Sequence, residues 1–492
     1  MSKLSRIKFC WVVFSFIFVI SVGSTKIDTA GRRAYQPQRE SVATYRFGLG
    51  YAVKGYAKLA AQTGAKWIRV PLVAWGAIEP EPPTDGEHHY RWERLDELIH
   101  EYQANGFEVQ LILKAANPWA CQGYENDARE AFRRSYPPKD EYWDDYSDFV
   151  HNLVERYDGD GYKDAPNLLA PVRYYEVESE AQNEVFWAGT FDDYRKLLKT
   201  AHEAAKQADS SAKIILSGIN FGRFIENCRS ESDIDRLSRS LPPRFKRVYD
   251  FIVQSLALGD FYDIVDVHLN RGYESIPLAV NWIRTQLAKY GYDKPIWAGD
   301  VCSVPWVTDR AHRRILQAIV RPNHPKHDDA IKWLRAEQAR LSVKKLVVCA
   351  ACGTEAFFLE TLRDFSPNAY KHATRESFFL AGLIGKDKKP RPASYAYKQA
   401  IEKLDGFVKV ESQVDGGLYI TKFYFTDRPP VWVVWSEDGE VDVTLDVEAD
   451  SVRIEKVITE LPPEPEVETK SARDGKVMLD ADETPIFVKV LK

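Results

Sequence analysis

Eight short apolar runs, separated for the most part by stretches of helical periodicity, set what this 492-residue chain can fold into. In order they are Arg46–Gly50, Lys66–Pro71, Phe107–Leu113, Val172–Glu178, Lys213–Ser217, Asp263–His268, Pro295–Gly299 and Leu346–Ala350 or the residues just after it. Most are bounded by polar or turn residues, the mark of parallel strands buried on both faces. Strands alternating with helices build a parallel α/β sheet, and eight such units predict a closed (β/α)8 TIM barrel with long loops. Two of the intervening helices are well marked. Trp92, Leu95, Leu98, Ile99 and Tyr102 form one apolar stripe, followed by Gly106 at a C′ position. Tyr194, Leu197, Leu198, Ala201, Ala204, Ala205 and Ala208 form another, preceded by Thr190 as N-cap, with Asp192 and Asp193 in the first turn.

Beyond residue 402 the pattern changes to β-rich runs: Phe407–Glu411, Leu418–Phe425, Val431–Trp435, Val441–Val447, Val452–Ile458, Lys476–Leu479 and Ile486–Leu491. Several alternate apolar with polar, and Asp438-Gly439 and Asp474-Gly475 supply turns. Seven strands without helices predict an antiparallel β-sandwich, with the Pro-rich acidic stretch Leu461–Val467 as an exposed loop. The expected organisation is a barrel over 25–402 and a sandwich over 403–492. Residues 1–24 have a basic start (Lys3, Arg6, Lys8), an apolar run from Phe9 to Val22 and then Gly23-Ser24. That run is short of the roughly 20 residues of a spanning helix, so it reads as a cleaved export signal. The mature protein is expected to be secreted or periplasmic, with no stable membrane span. A net charge of −5 excludes a general electrostatic grip on nucleic acid. Cys349-Ala-Ala-Cys352 lacks the second ligand pair a zinc site needs, so neither metal nor cofactor is expected. Cys121, Cys228 and Cys302 fall in expected loops on one barrel face, where an exported protein can form a disulfide.

Carboxylates at strand ends carry the chemistry. Arg173-Tyr-Tyr-Glu-Val-Glu-Ser-Glu-Ala-Gln-Asn183 reads as the fourth strand ending in an acidic cluster, with Glu180 in its mouth and Glu178 one alternation away. Lys294-Pro-Ile-Trp-Ala-Gly-Asp300 places a second carboxylate at the end of the seventh strand. Barrel enzymes keep their reactive groups at strand C-termini, and a carboxylate pair there fits glycosidic bond hydrolysis. Retention needs the two groups about 5–5.5 Å apart and inversion about 6.5–9.5 Å. Glu355 and Glu360, near the eighth strand, are further carboxylates at the mouth.

With these motifs placed, residues 45–400 resemble clan A glycoside hydrolases, nearest in flavour to families 39 and 5. The tract around Glu180, with Phe186-Trp187 and Tyr194 after it, resembles the strand-four motif in which Asn-Glu-Pro carries the acid/base. Lys294-Pro-Ile-Trp297 resembles the approach to the strand-seven nucleophile. Trp67-Ile-Arg69 with Trp75 and Ile78-Glu-Pro80 resembles the strand-two segment whose Arg supports that nucleophile, and Asp266-Val-His268 the strand-six His segment. The resemblance implies Glu180 as acid/base, Asp300 as nucleophile and Arg69 holding Asp300 ionised. His268 is expected to line the site. Trp119, Trp187, Trp297 and Trp306 are sugar platforms on this reading, and Asn183 and Asn270 bind hydroxyls. Three positions depart from the pattern: Ser179 stands for the Asn that binds the sugar 2-hydroxyl, Ala181 for Pro, and Asp300 for Glu. Asp is shorter than Glu by one C–C bond, about 1.5 Å. On an unchanged backbone a separation of about 5.5 Å would therefore open towards about 7 Å. The expectation is a hydrolase acting on β-linked oligo- or polysaccharide, whose backbone shifts to keep retention or which inverts. The alternative is a catalytically silent barrel that binds carbohydrate.

Overall fold

The computed structural model describes residues 26–27, 32–35, 45–124, 134–305, 314–315, 317–319, 321–364 and 380–491. Residues 1–24, expected to be an export signal, and Trp306 lie outside the described residues. Eight parallel strands close a barrel: β1 (Phe47–Leu49), β2 (Trp67–Ala74), β3 (Glu108–Lys114), β4 (Tyr174–Val177), β5 (Lys213–Ile219), β6 (Ile264–His268), β7 (Ile296–Cys302) and β8 (Ala356–Glu360). The apolar run at Leu346–Ala350 is not the eighth strand. It forms the last turns of the helix His327–Ala351, where Ser342 to Ala350 are all buried. A helix end buried all round has no polar face to reveal its period, so a short Leu-Val-Val run there reads equally as a strand. Cys349 is in that helix and Cys352 caps it; like Cys121, Cys228 and Cys302, both are buried. The two marked helices form as expected, over Glu93–Gln103 and Phe191–Ala208. The second starts with a reciprocal capping box between Thr190 and Asp193.

Side chains alternate in and out along each strand, and the interior fills in layers. At the bottom Trp67, Tyr174, Ile215, Ile264, Trp297, Ala356 and Phe358 pack as one apolar plug. Two residues further along, the same strands present Arg69, Glu176, Asp266 and Glu360, all buried. Three strands break the period with a bulge. Between β6 and β7 the register runs from Asp266 opposite Trp297 to His268 opposite Asp300, so β7 advances three residues while β6 advances two. Similar shifts interrupt β2 between Val70 and Val73 and β5 between Leu216 and Ile219. A bulge re-aims the side chains beyond it. Without the one in β7, Asp300 would share neither the face of Trp297 nor that of Gly299 and would point out of the barrel.

The C-terminal domain has eight strands rather than seven: β9 (Lys409–Asp415), β10 (Leu418–Tyr424), β11 (Val431–Ser436), β12 (Val441–Asp446), β13 (Ser451–Lys456), β14 (Val467–Ser471), β15 (Lys476–Ala481) and β16 (Ile486–Leu491). β14 is almost wholly exposed, so it carries no apolar alternation to announce it. The larger sheet runs Lys26–Ile27, Arg32–Tyr35, β9, β10, β11, β16, β13, β14, and faces the β12–β15 pair across a small core that includes Trp432, Val434, Leu445 and Leu479. Its opposite face, through Val433, Trp435 and Phe487, belongs to the main core. That double burial is why β11 is an unbroken apolar run. Tyr273 and Lys344 of the barrel both contact Glu437 beyond β11. No helix among the described residues is long and apolar enough to cross a membrane.

Candidate active site

The layer above the aromatic plug is built around one guanidinium. Arg69 Nη2 lies 2.6 Å from Glu176, 3.2 Å from Asp266 and 3.2 Å from His268 Nε2. Gln110 and the Gly218 N–H also donate to Glu176, at 3.1 and 3.2 Å. Glu176, Asp266 and His268 could by spacing hold a metal ion, but a guanidinium already sits against all three, so the cation of this cluster is Arg69. Burial pushes the Glu176 carboxyl up to about 7 in spite of Arg69. Burial acts on Asp266 in the same sense, but His268, Arg69 and the Gly299 N–H hold that carboxyl below its ordinary range.

Glu180 stands one level higher, where β4 has ended at Val177. The chain leaves the strand through two residues in the left-handed region, Glu178 at φ 63° and Glu180 at φ 49°. Non-glycine residues take that conformation at a cost of about 1–3 kcal/mol each, so something must hold them. Glu178 is tied to the β3 end by an ion pair with Lys114 at 2.9 Å and by the Ala115 N–H at 2.8 Å. The turn therefore sends Glu178 away from the site instead of setting it beside Glu180 on one strand face. Glu180 accepts from His268 Nδ1 at 2.8 Å, from Asn220 at 2.8 Å and from Asn183 at 3.3 Å. Burial pushes its pKa up, and these bonds outweigh it, keeping the carboxyl below the usual range. His268 shows the complement. Burial disfavours its cation, yet Asp300, Asp266 and Glu180 together raise it well above the ordinary imidazole value.

Asp300 approaches the same ring nitrogen, its Oδ2 3.8 Å from His268 Nδ1. Because Glu180 Oε1 is 2.8 Å from that nitrogen, the two carboxylate oxygens cannot be farther apart than the sum, 6.6 Å. Glu360, from β8, is on the strand paired with that of Asp300; burial first and the Asp300 charge second raise its carboxyl well above the ordinary glutamate value. Five carboxyl groups thus share the protection of two cations, Arg69 and His268. The surplus protons rest on Glu360 and, around neutrality, on Glu176.

Glu180, Asp300, His268 and Arg69 therefore lie together, with Asn183 beside Glu180. Arg69 differs in its role. It is 3.9 Å from Asp300 and clamps Glu176 and Asp266 more closely, out of reach of a sugar. Both ring nitrogens of His268 are likewise taken by carboxylates. Two expected platforms are corrected by burial. Trp187 is 0% exposed, bonded to the Thr190 carbonyl and packed on Tyr194. Trp297 is 1% exposed in the plug, between Tyr174 and Phe358. Neither has a free ring face. Trp119 is half-buried, its indole N–H bonded to the Glu79 carbonyl and its ring edge-on to Trp75. Ser179 is half-buried beside Glu180. Asn270 accepts from the Cys302 N–H and so bridges β6 to β7. Sequence reading passed over Glu176 and Asn220. Glu176 was legible, since it lies two residues inside the strand that Glu178 was taken to end; Asn220 had no signal, because a bulge decides where it points.

No protein-family model matches the sequence, and no curated protein matches it. Solved structures do match its backbone. A family 39 glycoside hydrolase from Bacteroides cellulosilyticus superposes with a TM-score of 0.61 at 16% identity, over 91% of this chain and 81% of that one. A family 39 β-xylosidase from Caulobacter crescentus gives 0.56 at 16% identity, over 94% and 98%. An α-L-arabinofuranosidase from Thermotoga maritima gives 0.56 at 12% identity, over 92% and 97%. By its backbone, then, this chain has the barrel-and-sandwich fold of the clan A glycoside hydrolases, in the form seen in family 39.

Proposed function

We propose that this protein is an exported glycoside hydrolase that cleaves β-linked oligo- or polysaccharides with retention, using Glu180 as acid/base and Asp300 as nucleophile. The observation that carries this reading is His268 Nδ1 set between the two carboxylates, 2.8 Å from Glu180 and 3.8 Å from Asp300. The ceiling of 6.6 Å between Glu180 Oε1 and Asp300 Oδ2 brings one oxygen of each carboxylate close enough for the retaining separation of about 5–5.5 Å. The bulge in β7, which turns Asp300 inward, supports a role for the shorter Asp. In the free site the acid's proton rests on His268. It crosses the 2.8 Å bond to Glu180 and passes to the departing glycosidic oxygen as an Asp300 oxygen bonds to the anomeric carbon. Glu180, now a carboxylate, takes a proton from the water that opens the resulting ester. The basic and apolar segment over residues 1–24 supports export.

Turnover of aryl β-xylosides, β-glucosides and α-L-arabinofuranosides tests the reading. Glu180→Gln and Asp300→Asn should each lower kcat by at least about 10²-fold, and the first-formed anomer, followed by NMR, should retain configuration. Binding without turnover by the unmodified protein would make it the silent carbohydrate-binding barrel instead.

A further inference from the structure

Asp300 is oddly held for a nucleophile. Its Oδ2 is 3.8 Å from His268 Nδ1 and 3.9 Å from Arg69 Nη1, both too long for hydrogen bonds. Its Oδ1 is buried and meets no N–H or hydroxyl donor. Such an orphaned acceptor costs about 1–3 kcal/mol. The next carboxyl across the strand pair is that of Glu360, whose register partner Cys302 lies two residues beyond Asp300 on β7, and hydrogen bonding to Asp300 is one cause of its raised pKa. Glu360 ends β8, is 2% exposed and sits opposite Cys302 on β7. Two carboxylates cannot bond to each other; a carboxylic acid and a carboxylate can.

We propose that Glu360 is the positioning residue of Asp300, donating a direct hydrogen bond that fixes this shortened nucleophile in the barrel mouth. The inference rests on Asp300 being the nucleophile. The surroundings keep the donor's proton in place: burial, then Asp300 and Cys302 from β7, favour the neutral acid and outweigh Arg69 from β2, which opposes them. His268, from β6, faces Asp300 from another direction and balances the remaining carboxylate charge. As Asp300 forms its ester it loses that charge, and Glu360 keeps an acceptor in the ester carbonyl.

Glu360→Gln and Glu360→Ala separate positioning from mere filling. Gln retains an N–H donor, so its kcat should stay within about threefold of the parent, whereas Ala should lose about 10–100-fold with KM little changed. Equal losses in Gln and Ala would overturn the proposal. Melting temperature against pH tests the contact without any substrate. A glutamic acid whose pKa is raised on folding stabilises most below its unfolded value of about 4.3 and loses that contribution as pH rises. The advantage of Glu360→Gln over the parent should therefore widen from about pH 4.3 upward; a constant difference would show that Glu360 is not held neutral. If no glycoside is hydrolysed but the stability difference widens, the hydrolase reading fails while the carboxyl contact stands.

Discussion

Gly218 is the sharpest place to test how His268 is held. A Cβ on Gly218 would fall 1.9 Å from His268 Nε2, 2.4 Å from Cδ2 and 2.6 Å from Cε1. Ordinary contact begins at 3.4 Å, so in Gly218→Ala the ring must retreat by the difference, about 1.5 Å. That exceeds the slack in its bonds to Glu180 at 2.8 Å and Asp266 at 3.2 Å. Overpacking of this kind costs about 1–3 kcal/mol, and loss of a hydrogen bond to a charged group about 1.5–3 kcal/mol. The expected total is roughly 2.5–6 kcal/mol of stability, with the lower end reached if water replaces the lost partners. A misplacement on this scale should also lower kcat by about 10²-fold. Freed from carboxylates, the imidazole returns towards its ordinary pKa. The raised value stabilises the cation in the fold, so the proton is lost at lower pH in the variant and the alkaline limb of kcat moves down. Gly50→Ala is the control, because its Cβ would meet nothing closer than 3.7 Å. Chemical denaturation and pH–rate profiles on both variants decide the matter. If Gly218→Ala matches Gly50→Ala in kcat and in its alkaline limb, the His268 contact does not set the protonation of Glu180.

Trp297→Ala should cost about 3–5 kcal/mol in denaturant unfolding while leaving KM unchanged, since the ring belongs to the plug and touches no sugar. Thr190→Ala removes one half of the capping box and should lower stability by about 1 kcal/mol, with kcat within twofold of the parent in the same preparations.

The scaffold was legible where burial leaves a mark on the sequence. Most of the barrel strands lie between the interior and the outer helices, and their runs are apolar on both faces. Thr190 announced its helix because capping is local chemistry. Legibility stopped where position depends on geometry between strands. Asp300 was visible as a carboxylate near a strand end, but only the extra residue in β7 turns it inward. Glu178 and Glu180 look equivalent in sequence, and two left-handed residues send one to Lys114 and the other to His268. Trp297 resembles a sugar platform by type alone, because sequence does not say at which level of a barrel a ring lies. The distribution of protons was hidden altogether, being a collective property of five carboxyl groups on four strands and one turn.

The short strand Arg32–Tyr35 pairs along β9, from Tyr35 opposite Val410 to Arg32 opposite Gln413. The segment entering the barrel and the segment leaving it are thus laced together, and the barrel is an excursion between two adjoining strands of one sheet. Ordinary barrels can fray from either terminus. Here the first and last turns of the barrel cannot drift apart until that lacing opens, so the sandwich acts as a clasp on the ring of strands that holds the carboxylates. Whatever loosens the clasp loosens the ring, and a reaction dependent on sub-ångström placement would register it before the barrel itself unfolds.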